Sequence, residues 1–408
     1  MQIPTQFKSG DQAALWLLPA LCLAGLAANV SGRTVEPLVT ILAADLAVSV
    51  GAAALLTSLY ALPFALGQPL LGPLGDIYGK GLVLKISVTA LACSLLVAAF
   101  APNFEVLAIA RFCAGFAAGG VVPACMATIG DAYPPERRQV AISTFVTMGL
   151  LAQIFATSAS GMVGEALGWR FVLFGTASFG IIGALAAITV LPRALKSSQS
   201  FSLGLVVSNY RSVFRNPKAV LCYSTVFLEG VGLYGVLPYV GSILVEKQIG
   251  AAREAGFIIG ALGIGGLVYV SFVRQLLKRW TRPHFMAAGG VLLMVGLVAL
   301  ALLNDWRLIA AAFGVSGFGF MLLHNSIQTE SVDLAPDARQ SAYSLHALSF
   351  FTGQASGPAL FGLGIVVLGS TLSLILSAIM LAATGLAIGF LFHRIARQNA
   401  LTSAQSPP

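Results

Sequence analysis

Asn29, Arg33 and Glu36 stand at i, i+4 and i+7 inside an otherwise apolar run. On a helix that spacing puts an amide, a guanidinium and a carboxylate on one face, which Gly25 extends. Such a face can line a cavity for a polar solute, with Glu36 able to take up and release a proton. It can equally be an ion pair near the outer headgroups that satisfies itself. Glu229 lies about half-way along another apolar run. A carboxyl group at that depth is expected to carry a proton, or else to stay neutral and hydrogen-bond a neighbouring helix. Arg111 shares a face with Gly115 and Gly119. Glycines so spaced allow close helix packing, and the arginine either reaches a cavity or snorkels outward.

Weaker candidates follow the same spacing. Gln153, Thr157 and Ser160 make a mild polar wall, as do Tyr60, Phe64 and Gln68. His324 shares a face with Gln328 and Ser331, and His346 stands beside Phe350 and Gly353. Each histidine is either a hydrogen-bonded packing residue or a participant in transport. Catalytic patterns are missing: there is no HExxH, no Walker loop, no GxSxG and no DxD, so nothing here marks an enzyme, and no cofactor is expected. The five cysteines all fall in apolar runs without CxxC or His at ligand spacing. They read as buried small hydrophobes, and no metal site is expected.

The elements that position these groups follow from composition. Of 408 residues 57% are hydrophobic and 9% are charged, a balance that suits a polytopic membrane protein because each charge left in hydrocarbon is costly. A spanning helix needs roughly 20 apolar residues. Twelve runs qualify: 14–37, 50–71, 82–101, 105–130, 139–162, 169–191, 218–244, 254–276, 284–303, 307–332, 340–367 and 371–393. The expected fold is all-α and integral to the membrane. The first twelve residues are polar and no small-residue cleavage site follows the first run, which is expected to stay as a helix. With the N-terminus inside, 17 of the 23 basic residues fall in cytoplasmic segments and five in outer ones, with Arg111 left inside a run. That split predicts cytoplasmic N- and C-termini. The +8 net charge is thereby orientation, not nucleic-acid binding, since no basic block is interleaved with stacking aromatics.

The chain also repeats itself. Asp131, Pro134 and Arg137 recur as Asp333, Pro336 and Arg339, each 202 residues on, and Gly115 recurs as Gly317 at the same offset. Pro37 and Pro238, expected to end runs one and seven, differ by 201. Two six-helix bundles in the same orientation are therefore expected, 1–191 and 218–397, related by an axis along the membrane normal. Between them 192–217 reads as a cytoplasmic linker, either a plain tether or partly an amphipathic surface helix through Phe201, Leu205, Val206 and Phe214. The tail, 398–408, is expected to be disordered.

Between runs two and three stands Gly72-Pro-Leu74-Gly-Asp76-Ile-Tyr-Gly79-Lys80. This resembles the signature loop of the major facilitator superfamily, with Ile77 and Gly81 replacing two usual basic residues. Glycines there permit a tight turn, and an acid and a base at such a hinge can pair in one conformation only. The matching loop of the second half, 274–283, keeps its bases but lacks the acid. Arg111-x-x-x-Gly115-x-x-x-Gly119 and Gly168-Trp169-Arg170 are similar to motifs of the drug and metabolite:proton antiporter branch. That branch's proline-containing helix-five motif is absent after Gly149, though a partial copy, Gly353-x-x-x-Gly357-Pro358, stands in run eleven. The resemblance implies the superfamily's two-bundle transporter fold and a cytoplasmic latch of Gly72, Asp76, Gly79, Lys80, Asp131 and Arg137. It further implies a monomeric secondary transporter in the plasma membrane, or the inner membrane of a Gram-negative cell.

The function expected is alternating-access movement of a small organic solute, with protons as coupling ion and export as the leading direction. Asn29, Arg33, Glu36, Arg111, Gln153, Glu229, His324 and His346 are the candidate cavity residues, and Glu229 and Glu36 the candidate proton carriers. Proton-coupled uptake is the alternative within the class. A membrane enzyme acting on a lipid-linked substrate is the rival outside it.

Overall fold

The computed structural model describes residues 12–191 and 203–405. Among these residues the structure is helical, with no strand. Twelve helices are long and apolar enough to cross a membrane. They are α1 Leu15–Asp45, α2 Val50–Leu71, α3 Lys80–Ala99, α4 Phe104–Ala132, α5 Arg137–Leu167, α6 Trp169–Val190, α7 Lys218–Glu246, α8 Ala252–Leu276, α9 Arg282–Leu302, α10 Trp306–Asp333, α11 Ser341–Leu368 and α12 Ser370–Ile395. Side chains such as Leu66, Ile86, Phe112, Phe155, Val270 and Phe390 are exposed along them, as a lipid-facing surface requires. Each half crosses an even number of times. The start of α1, the end of α12, the end of α6, the start of α7 and the α2–α3 loop therefore share one face, here the loop-2–3 face, and the α1–α2 and α7–α8 loops share the other.

The halves repeat one packing plan. α2 lies on α4, α3 on α4 and α6, and α1 on α5; α8 lies on α10, α9 on α10 and α12, and α7 on α11. Across the halves α5 packs on α8 and α2 on α11. On α5 and α8 Gly256 stands against Thr157, Gly260 against Ser158 and Gly263 against Ile154, and Gly241 of α7 stands against Thr40 of α1, all between the centre and the loop-1–2 face.

Pro37 and Pro238 do not end their spans. α1 is helical to Arg33, makes one 3₁₀ turn over Glu36–Leu38 and resumes as Val39–Asp45. α7 runs Lys218–Glu229, then a π-helical turn Gly230–Tyr234, a 3₁₀ turn Leu237–Tyr239 and Val240–Glu246. Each proline occupies the first turn of a restarted helix, where its missing N–H has no partner to lose. The offset of 201 continues beyond them. Ala47 and Gln248 (248−47) both have positive φ, 52° and 59°, as do Gly168 and Gly369 (369−168), 90° and 82°.

Gly168-Trp169-Arg170 is a clasp between α6 and the end of α1. Trp169 Nε1 donates to Asp45 Oδ2 at 2.7 Å and Arg170 Nη1 to the same oxygen at 2.8 Å. The second half keeps a lighter version, Ser370 Oγ donating to Glu246 Oε1 at 3.0 Å. The Gly353 and Gly357 pattern is a packing device as well: a Cβ on Gly353 would strike the Phe227 carbonyl of α7.

Other expectations shift. The helix of α2 continues to Tyr78, so Gly72 is helical and Gly79, at φ 99°, alone makes the turn. Cys93 and Cys113 are exposed, whereas Cys22, Cys125 and Cys222 are buried. In the linker, residues 192–202 lie outside the described residues, and Leu203–Phe214 is a helix. Val213 of that helix joins the core with second-half residues, and Asn216 Nδ2 donates to the Leu334 carbonyl at 3.1 Å. The last helix runs on to Gln405 through most of the segment expected to be a disordered tail; 406–408 lie outside the described residues.

A Cβ on Gly115 would overlap the Tyr60 carbonyl of α2, whereas one on Gly130 meets nothing within 4 Å. Gly115→Ala is expected to destabilise by roughly 1–3 kcal/mol through overpacking, and Gly130→Ala not at all. Thermal melting of the detergent-purified proteins checks this; equal melting temperatures would refute the close-packing account.

Candidate functional site

At the centre, where the two halves meet, is a cavity of about 100 Å³. The break in α1 aims Arg33 and Glu36 into it. α2 contributes Thr57, Tyr60 and Phe64, α5 contributes Gln153, α7 contributes Tyr234, and α11 contributes Phe351 and Gln354. Four polar side chains from the first half form one chain. Arg33 Nη1 donates to Glu36 Oε1 at 2.8 Å and Arg33 Nε to Gln153 Oε1 at 3.2 Å. Gln153 Nε2 donates to Asn29 Oδ1 at 3.3 Å, and Asn29 Nδ2 to the Gly25 carbonyl at 2.8 Å. Four sequence candidates, Asn29, Arg33, Glu36 and Gln153, therefore do line one cavity. The ion pair sits between the two halves and not at a headgroup, because the Arg33 guanidinium lies 4.2 Å from the Tyr234 ring centroid of the second half. Contacts of that kind strengthen as water is excluded.

Arg111 is placed elsewhere. It is fully buried, but it is not among the cavity residues. Its Nη1 donates to the Ser31 carbonyl at 2.8 Å, its Nε to the Leu56 carbonyl at 3.4 Å, and its Cζ lies 4.4 Å from the Tyr60 ring centroid. Ser31 Oγ and Tyr60 Oη lie 2.7 Å apart in the same cluster. The backbone contact of α4 on α2 at Gly115 is what brings Leu56 within reach. Arg111 neither snorkels nor reaches solute space; it ties α1, α2 and α4 together.

Glu229 is also outside the cavity, fully buried, with Oε2 2.8 Å from His324 Nδ1. His324 lies against Phe320 and Phe350, at centroid separations of 4.9 and 4.6 Å, and 5.1 Å from His346. His346 Nδ1 and Ser331 Oγ are 3.2 Å apart. The Glu229, His324 and His346 candidates thus form a second cluster within the second half. The π turn that begins after Glu229 ends at Tyr234, which lines the cavity. Irregular helical turns of this kind occur often at functional sites.

Sequence reasoning passed over Tyr234, Phe351 and Gln354. A signal existed for two of them: Tyr234 is Arg33 plus 201, and Gln354 is Gln153 plus 201. The cavity is lined by pairs that the repeat makes equivalent.

On the loop-2–3 face Lys80 Nζ donates to Asp131 Oδ2 at 2.6 Å. Arg282 lies 3.0 Å from Glu330 and 3.4 Å from Asp333. Arg282 and Asp333 are each 202 residues beyond Lys80 and Asp131. The second half therefore has an equivalent ion pair, its acids supplied by the end of α10. Arg137 is exposed in the first turn of α5, and the side chain of Asp76 lies outside the described residues. Exposed pairs contribute only about 0–1 kcal/mol each.

Comparison with known proteins follows the same lines. The family model described as Major Facilitator Superfamily matches residues 21–337. An uncharacterized MFS-type transporter of Bacillus subtilis, YwfA, is 26% identical over 260 residues, 63% of this chain and 63% of its own. A purine ribonucleoside efflux pump, NepI, of Escherichia coli O127:H6 is 24% identical over 307 residues, 75% of this chain and 76% of its own. The crystal structure of the nucleoside transporter NupG superimposes with a TM-score of 0.77 at 16% identity, covering 94% of this chain and 99% of that one.

If Arg111 is a clamp, Arg111→Lys should lower stability by roughly 1–3 kcal/mol, because an ammonium cannot span the Ser31 and Leu56 carbonyls as a guanidinium does. Detergent melting measures the loss. An unchanged melting temperature together with altered solute selectivity would restore Arg111 to the cavity.

Proposed function

The chain belongs to the Major Facilitator Superfamily, a family of membrane transporters and not of enzymes, and on that premise we propose that it exports a small organic solute from the cytoplasm in exchange for protons. The central cavity is the solute site, and the loop-2–3 face is cytoplasmic. The two halves rock about the cavity. The contacts on the loop-1–2 side are the closed gate, and the Lys80–Asp131 and Arg282–Asp333 pairs are contacts that the opposite state rearranges. Proton coupling rests on one observation above others. Glu229, fully buried, and His324 form an acid–base pair at 2.8 Å, joined by a single π turn to the Tyr234 ring that covers Arg33. A proton gained or lost by that pair changes the charge at the root of the turn, and Tyr234 carries the change to the solute site. Glu36, paired with Arg33 inside the cavity, is the alternative carrier. The efflux direction is supported by the similarity to NepI. One feature favours uptake as a second reading: α5 lacks the proline motif of the antiporter branch, with Gly149 followed by Leu-Leu-Ala-Gln-Ile.

Reporter fusions at residues 200 and 400 are expected to report from the cytoplasm, from the 17-to-5 distribution of basic residues; either fusion reporting from outside overturns the orientation.

Glu229→Gln keeps the shape of the pair and removes its charge. In proteoliposomes, proton-driven accumulation should be lost while solute exchange down its own gradient is retained. Unchanged driven transport removes Glu229 from the mechanism, and loss of both activities assigns it to folding or binding. The sign of solute movement in everted vesicles under an imposed proton gradient decides between export and uptake.

A further inference from the structure

We propose that the cavity takes a neutral aromatic solute that carries both a hydrogen-bond donor and a hydrogen-bond acceptor. The proposal rests on the reading above that this cavity is the solute site, and it adds the chemical class.

The charge in the lining is already balanced. Arg33 and Glu36 are paired at 2.8 Å, and Gln153 takes a further guanidinium N–H. An anionic solute would have to compete with Glu36 for Arg33 beside a like charge. A cationic one would meet Arg33 already on the Tyr234 face, where a cation would otherwise settle. Either would leave a buried charge without its counter-charge, the costly outcome in a site of low dielectric. Arg111 directs Nε and Nη1 to backbone carbonyls, its Nη2 has no partner, and it is not part of the lining.

Two polar atoms on lining residues lack a partner. Glu36 Oε2 and Gln354 Nε2 have no hydrogen-bond partner, and their residues are only 4% and 7% exposed. Buried polar atoms are almost always satisfied, so an acceptor and a donor without partners, on two residues that line one cavity, describe a ligand that both side chains can turn to meet. The acceptor belongs to the first half and the donor to the second, so that one solute bonding both would bridge the two moving bodies. Four rings stand among the remaining lining residues, with Ala28, Gly32, Thr57, Ala61 and Val122 between them. Tyr60, Phe64, Tyr234 and Phe351 line the cavity, and Phe64 meets Phe351 edge to face at 4.6 Å. Such walls favour a flat π-face over an aliphatic one of equal size.

The test is a set of four near-isosteric probes on the full chain in nanodiscs, followed by ligand-observed NMR: benzamide, benzoate, benzylamine and cyclohexanecarboxamide. Benzamide should bind about tenfold more tightly than each of the others. Gln354→Leu should weaken benzamide by about the same factor and leave the melting temperature unchanged. Glu36→Gln frees the charge of Arg33, and preference should pass to benzoate; if that variant does not fold, the Gln354→Leu result stands alone. The proposal is overturned if none of the probes binds, if benzoate or benzylamine binds the wild type most tightly, or if cyclohexanecarboxamide equals benzamide. It is also overturned if Gln354→Leu changes nothing, for then water satisfies the open atoms. Benzamide binding of this kind with no proton-driven solute movement in vesicles would refute the transport reading and leave the site chemistry standing. Driven transport of a charged solute without benzamide preference would do the reverse.

Discussion

Two guanidinium groups have been carried into hydrocarbon near the centre of the bundle, and the architecture around them answers to that cost. A charge there must be paired or hydrogen-bonded by groups that are themselves satisfied. Arg111 is met by two backbone carbonyls and a ring, all within the first half. That solution needs α2 and α4 in backbone contact, and hence glycine at 115. Arg33 is met by Glu36, Gln153 and, across the gap, Tyr234. The first arrangement fixes three helices to one another. The second has a partner in each half and therefore feels their relative position.

Helix interruption is what makes the second arrangement possible. A continuous α-helix would place Glu36 three residues on from Arg33 along an unbroken ladder. The 3₁₀ turn at Glu36–Leu38 instead releases backbone at membrane depth, where it borders a cavity. Such irregular backbone is tolerated only where protein or cavity surrounds it. The π turn of α7 does the equivalent in the second half and connects two otherwise separate sites, the Glu229–His324 pair and the cavity.

The fold was largely legible because it depends on apolar length and on a repeat, both one-dimensional properties. Asn29, Arg33 and Glu36 were legible because their spacing defines one face of one helix, and Gln153 because an amide in an apolar run stands out. Arg111 was misread because its partners are backbone carbonyls of another helix, and every residue carries a carbonyl. The pairing of Glu229 with His324 joins helices 95 residues apart, and no local pattern encodes it. Tyr234 and Phe351 look like any lipid-facing aromatic. The run ends at Pro37 and Pro238 were misplaced because proline both stops and starts helices, and the apolar stretches beyond it were short.

The equivalence of positions 33 and 234 has a consequence for how such a chain can arise. If two identical copies of one half were joined, arginine would face arginine across the pseudo-axis at the separation where the guanidinium now meets the tyrosine ring, 4.2 Å. Like charges that close in a medium of low dielectric repel strongly. Two tyrosines would leave no cation for Glu36 to hold. With arginine in one half and tyrosine in the other, the central contact is attractive, and at this position the two halves cannot be interchanged.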